Sequence, residues 1–451
     1  MNNPLQQYID LYTGNPDMVQ GNPGGALNQA RDKALERLLE ERRLPDRSDE
    51  GYAKTSVAEM FAPDYGINLQ RHPVTVDLAS SFHCGVPNLS TLMAVVAVDR
   101  FAPTRTLKQN LPQGVVVCSL AEGVRRYPGI ADRYYNSLAS RRGNAATDLN
   151  TLFTQDGVMI YVPDGVRLEK AIQIVQLFQG DSPRLAFRRI LLVAGKDSRV
   201  AVLKCDHSHP DSADFLSSEV IEVIASEGSE VQFYDLEESA AATRRMSQMF
   251  ARQDAGSKLT VAAATLFNGT TRNEFRIDCT GDHTATRLSG MAIGSRSQHI
   301  DNSSEVVHRG QHGHSDQLFK YVLDDEARGA FEGSIEVAEG SRFVEAYQSN
   351  RNVLASTGAR MHTKPQLLIY NDDVKCSHGA TTGQLDDRAL FYMQTRGIPL
   401  DEARRMLMQA FMVDVVDTIA LEPLRDRLRH MVERRFASAD HLCDASCRQA
   451  E

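Results

Sequence analysis

Cys376 and His378 stand two residues apart in the run TKPQLLIYNDDVKCSHGATTGQ, which begins at Thr363. In a β-strand, residues two apart project from the same face, so this spacing sets a thiol beside an imidazole. Such a pair is a soft-to-borderline ligand set suited to iron or an iron–sulfur cluster. Thiol catalysis by a Cys–His pair competes with that reading on these residues alone. Lys375 lowers the thiol pKa if it lies close in space.

Other ligand-type residues carry weaker signals. The segment 299–314 holds His299, His308, His312 and His314 among acids and serines. Imidazoles and carboxylates can hold a metal, but polar ladders at turns serve structure equally well, and that role is the expectation. His207 and His209, ahead of Pro210, read as an exposed loop. Cys443 and Cys447, with His441, can converge on a metal if their segment is helical, yet the end ASADHLCDASCRQAE reads as a frayed tail. The seven cysteines are scattered and lack C-x-x-C pairing, so neither a disulfide framework nor a closed zinc site is indicated. Cys118 in GVVVCSL and Cys279 in FRIDCTG read as buried reduced thiols.

The elements that must position Cys376 and His378 change texture along the chain. Up to about residue 105 the pattern is mostly helical. Asn28 is the expected N-cap of a helix with Ala34, Leu35, Leu38 and Leu39 on one stripe, stopped by Pro45. Between about 106 and 384, short apolar or alternating runs recur: VMIYV (158–162), IQIVQLF (172–178), ILLV (190–193), VAVL (200–203), VIEVI (220–224) and VQFY (231–234). Corners such as those at Gly195, Glu227, Ala255 and Gly281 supply the positive φ and local hydrogen bonds that turns require. Long helical patterns are missing between the runs, which argues against βαβ units. A sandwich rarely needs so many strands, whereas a solenoid grows by adding rungs, so a β-solenoid is expected. From about 385 to 437 the helical period returns, with Ala403, Met406, Leu407, Ala410 and Phe411 along one face. Residues 438–451 read as a flexible tail.

Composition narrows the function classes. The 451 residues carry a net charge of −9, against the basic footprint of a general nucleic-acid binder. The first residues show no basic-then-apolar export pattern, and no run approaches the roughly 20 apolar residues of a membrane span. A cytoplasmic protein is expected. The nucleotide-binding patterns G-x-x-x-x-G-K-[ST] and G-x-G-x-x-G are missing, as are the G-x-S-x-G elbow and H-E-x-x-H, so any ATP must be handled by a partner. A reading from another class is a polysaccharide-processing β-helix enzyme that uses acids such as Asp301, Asp372 and Asp373.

The stretch from Thr363 through DDRALFYMQTRGI, the helix at Glu402–Leu407, GAFEGSIEV at 329–337, QSNRN at 348–352 and IYVPDGVRLEKAI at 160–172 together resemble the SufB/SufD family of iron–sulfur cluster assembly proteins, in its SufD branch. LPDRSDEGYAKTSV at 44–57 is a more divergent match, with Tyr52 where many members carry Trp. The resemblance implies a right-handed parallel β-helix flanked by N- and C-terminal helical regions. It also implies a non-catalytic scaffold that pairs with SufB and with the SufC ATPase, where nascent cluster forms at the SufB–SufD interface. Carried over, Cys376 and His378 lie at that interface and can hold iron there. His299, His308 and His362 are possible accessory positions, and Leu390, Phe391, Leu407 and Phe411 fall in the helices that meet the ATPase. A reduced flavin in the complex, a homodimer of the isolated chain and a SufB-like role are further possibilities of the same resemblance.

Overall fold

Turn chemistry organises the chain from residue 158 onward. The computed structural model describes residues 3–20, 24–72, 92–208 and 213–437. From Val158–Val162 to Val374–Gly383 the strands fall alternately into two sheets, each strand parallel to the one laid down a full turn earlier. The corners between the sheets turn at positive φ: Asp197 (53°), Gly228 (67°), Gly256 (67°), His283 (57°), His312 (55°) and Phe343 (60°). Each of these donates its backbone N–H to a carbonyl one rung on, as Asp197 does to Glu227 (2.9 Å) and His312 to Arg342 (2.9 Å). The corner groups are thereby satisfied by repetition, which lets the turns stack. The protein is mainly β, a parallel β-solenoid with helices at both ends, as expected.

Inside the solenoid, Ile190, Leu192, Val223, Phe275, Phe319 and Phe331 belong to one continuous apolar cluster. The outer faces of the earlier rungs are covered too. N-terminal helices bring Leu5, Tyr8, Tyr12 and Phe153 onto Phe187, Leu216 and Met246 of one sheet. C-terminal helices bring Met412, Val415, Leu424 and Leu428 onto Leu203, Tyr234 and Met291 of the other.

Several elements differ from the sequence reading. Helices Arg105–Asn110, Leu120–Arg126, Pro128–Tyr134, Ala139–Arg142 and Ala145–Phe153 extend the helical part past 105, and strand Leu92–Ala97 lies before it. These helices are short and punctuated by Pro128 and Gly143, so they show no long apolar stripe. Helix Ala26–Glu41 is capped at Gly25 (φ 64°) rather than Asn28, and Leu39 is exposed while Ala34 and Leu38 are buried. In helix Leu400–Val416 the buried residues are Ala403, Met408, Met412, Val415 and Val416, whereas Met406 and Ala410 face solvent. That helix is apolar on most sides, and periodicity cannot choose the face. His207 is buried within strand Arg199–Ser208, paired between Leu177 and Glu238, and not in a loop, because the strand runs on past it. Cys84, His209, His441, Cys443, Cys447 and the expected tail lie outside the described residues. Cys118 and Cys279 are buried free thiols. Among the described residues, no helix is long and apolar enough to cross a membrane.

Candidate functional site at the open end of the solenoid

The last two strands, Arg360–Ile369 and Val374–Gly383, pair only with Arg328–Val337 and Val344–Leu354 respectively. Among the described residues each therefore offers a free edge, and edge N–H and C=O groups are a template for another strand. At this end Leu368 (41%), Ile369 (39%) and Tyr370 (60%) are exposed.

Cys376 is in register with Ala346 and His378 with Gln348, both buried residues of the preceding rung. The pair thus shares the inner face of the sheet at the mouth of the solenoid. Cys376 packs at the rim of a cluster of Ile335, Val337, Val344 and Ala346. Burial pushes its thiol pKa up, partly offset by a hydrogen bond with the Ala346 backbone. Lys375 does not lower it: strand alternation turns that side chain outward, where Nζ sits 2.9 Å from Glu345 Oε1. His378 is exposed and caps a polar file through the interior. In that file Ser304 Oγ donates to Gln317 Oε1 (2.8 Å), and Gln348 Nε2 donates to the same oxygen (3.3 Å). Gln348 Oε1 and, on the facing edge strand, Thr363 Oγ1 are buried without a hydrogen-bond partner.

The arrangement presents one thiol and one imidazole to whatever closes the mouth. Among the described residues, no group of three or more His, Cys, Asp or Glu side chains could hold a metal ion. A thiol must lose its proton to bind metal, so ligation by Cys376 favours higher pH.

The other expected positions are dispersed. His299 lies on the outer face of the opposite sheet, with Nε2 2.6 Å from Thr55 Oγ1. His308 points inward, fully buried, with Nε2 2.8 Å from Ser315 Oγ, and burial pushes its pKa down to about 4. His312 stacks between His283 and Phe343 at the corners. Strand alternation sends these imidazoles to different faces. His362 is in register with Ala330 on the outer face, beside Lys54 and Arg328, away from Cys376. Asp301 is buried between Thr55 and Arg272 (2.5 and 2.6 Å), whereas Asp372 follows the far end of strand Arg360–Ile369. From the register position of Asp301 at His362 to the strand end at Ile369, short of Asp372, is already about 23 Å at about 3.3 Å per residue, too far for paired glycosidic carboxylates. Of the expected ATPase-facing residues, Phe391 is exposed (69%) and Leu390 is buried. Leu407 is half-buried, and Phe411 lies beneath Lys320, whose Nζ is 4.5 Å from the ring centroid.

A buried charge cluster inside the early rungs was not foreseen. Lys204 Nζ contacts Glu219 (2.6 Å), Asp235 (2.9 Å) and Asp206 (3.0 Å), and Arg245 pairs with Asp235 and Glu237. The signal was present in the sequence: Lys204 and Asp206 continue the inward alternation of Val200 and Val202.

Comparison with known proteins defines the class. The family pattern described as SUF system FeS cluster assembly, SufBD core domain, matches residues 177–411, and the SufBD N-terminal region matches residues 2–174. The chain belongs to the SufB/SufD family of iron–sulfur cluster assembly proteins and is SufD-like. It is similar to an iron–sulfur cluster assembly SufBD family protein of Synechocystis, 26% identical with 93% of each chain covered. It is also similar to the iron–sulfur cluster assembly protein SufD of Bacillus subtilis, 26% identical over 73% of this chain and 76% of that one. The SufD of Escherichia coli is 33% identical over 35% of this chain and 37% of its own.

Proposed function

We propose that this chain is a non-catalytic scaffold subunit that presents Cys376 and His378 to a SufB-like partner, so that a nascent iron–sulfur cluster forms between the two chains. The observation that carries the reading is the pair's location: it lies on the inner face of an uncovered edge strand, with too few ligands to complete a cluster. Iron and sulfide are cargo, held transiently by Sγ of Cys376 and a ring nitrogen of His378 with further ligands from the partner. The free edges favour a solenoid partner added in register, and a second copy of this chain can use the same edge when the partner is absent. The exposed residues Phe391, Tyr392, Leu400, Met406 and Val413 of the C-terminal helices form the surface we assign to a SufC-type ATPase. ATP hydrolysis there would work on the mouth through those helices, in the cytoplasm.

Co-expression with SufB-like and SufC-like chains tests this. Cys376→Ala and His378→Ala are expected to co-purify normally but to lower cluster content and the activity of iron–sulfur enzymes in cells. Normal cluster assembly by both variants would refute the site.

A further inference from the structure

We infer that the cleft between the N-terminal segment and the strand starts on one outer sheet face is a binding site for a phosphate-class oxyanion. The cleft encloses about 400 Å³ and is lined by Arg47, Lys54, Arg244, His299 and Arg328, against the acids Glu59 and Glu326. The strand register explains how the cations gather. Arg244, Thr270, His299, Arg328 and Arg360 are successive partners across five strands, a column of three arginines with Thr270 and a histidine of burial-lowered pKa between them, rising about 4.8 Å per rung.

Like charges side by side in a sheet are destabilising, and elsewhere on this face the chain avoids them. Arg272 pairs with Asp301 (2.6 Å) and Arg276 with Glu305 (2.8 Å) across adjacent strands. In the basic column no acid is interleaved. Glu59 is engaged by Arg47 in a two-pronged pair (2.7 and 2.8 Å), and Arg244 donates to the Tyr65 hydroxyl. Among the described residues, the side chains of Lys54 and Arg328 have no hydrogen-bond or ion-pair partner. Both press on His362, whose pKa is held below its ordinary value by burial and by these two cations. A cavity of ligand size with unneutralised cations on two walls is the arrangement that captures a small multivalent anion, and the arginine fork matches phosphate oxygens.

Free phosphate and the phosphate of a small ester offer the same chemistry. Titration calorimetry on the full chain in chloride buffer, with inorganic phosphate and glycerol phosphate as probes, tests the site and separates the sources. One saturable site with a Kd of about 1 mM or tighter is expected for at least one probe, weakened about tenfold or more by the double substitution Arg328→Gln and Lys54→Gln. Lys375→Gln, at an exposed ion pair on the opposite sheet, should leave it unchanged. Tighter binding of the ester assigns a phosphorylated metabolite, and equal or tighter binding of phosphate assigns the free ion. Lack of saturable binding by both probes, or undiminished affinity in a double variant that melts like the parent, would overturn the proposal.

Discussion

The early and the final rungs of this solenoid are built on the same corner geometry and treat their surfaces in opposite ways. Around Lys204 and Arg245, helices cover both outer faces, every strand has two neighbours, and charges sit fully buried inside. At Arg360–Ile369 and Val374–Gly383 cover is sparse, with Glu50 of the N-terminal segment reaching Lys364, one edge of each strand is open, and the interior ends in an exposed imidazole. Repetition supplies the stability of the first region, and the second keeps its backbone groups and ligands available. A solenoid separates these tasks well because each rung contacts only its neighbours.

The largest expected effect falls in the covered region. Lys204→Met leaves Asp206, Glu219 and Asp235 facing one another without their shared ammonium. Removing one partner of a buried ionic network costs about 3–5 kcal/mol. Urea unfolding monitored by circular dichroism should show that loss, and a change below about 1 kcal/mol would mean that the early interior is not the sealed, charge-compensated region described.

The next effect is on pH dependence. His308 has a folded pKa of about 4, below the ordinary 6.5, because burial disfavours its charged form. Protonation therefore favours unfolding: the contribution of this group is intact above about pH 6.5 and is lost as pH falls toward 4, by on the order of 3 kcal/mol. His308→Gln should flatten the acid limb of the stability profile in that window. An unchanged limb would show that His308 is not sealed from water, which would move the open end of the solenoid inward.

Legibility in the sequence followed the same division. The corners were readable because Asp197, Gly228, Gly256 and His283 occupy short polar breaks where positive φ is needed. The shared face of Cys376 and His378 follows from the period of two alone. Which sheet a residue joins does not, and His362, near Cys376 in sequence, lies on the opposite sheet facing out. The interior charges escaped notice because strand patterning assigns apolar residues to the inside, and Lys204 obeys the period while breaking the polarity. Helix Leu400–Val416 hid its buried face for the converse reason, being apolar nearly all round. The basic column is invisible along the chain, since its members are a full rung apart and only register joins them.

The smallest stability effect, and the sharpest contrast, concerns two thiols. Cys279 is fully buried, with Sγ 3.3 Å from Thr286 Oγ1 and a pKa pushed up to about 11 by burial. Cys376 is only half-buried at the mouth, its pKa raised by the same cause. In the native chain iodoacetamide should modify Cys376 and spare Cys279, as peptide mapping can read, at a rate that climbs above the usual thiol range because the thiolate is the nucleophile. Cys376→Ala should cost about 1 kcal/mol or less, since little surface is buried around the sulfur. Protection of Cys376 on adding a SufB-like chain, with Cys279 unchanged, would locate the partner at the mouth. Equal reactivity of the two thiols in the native chain would erase the distinction between a sealed interior and an open end.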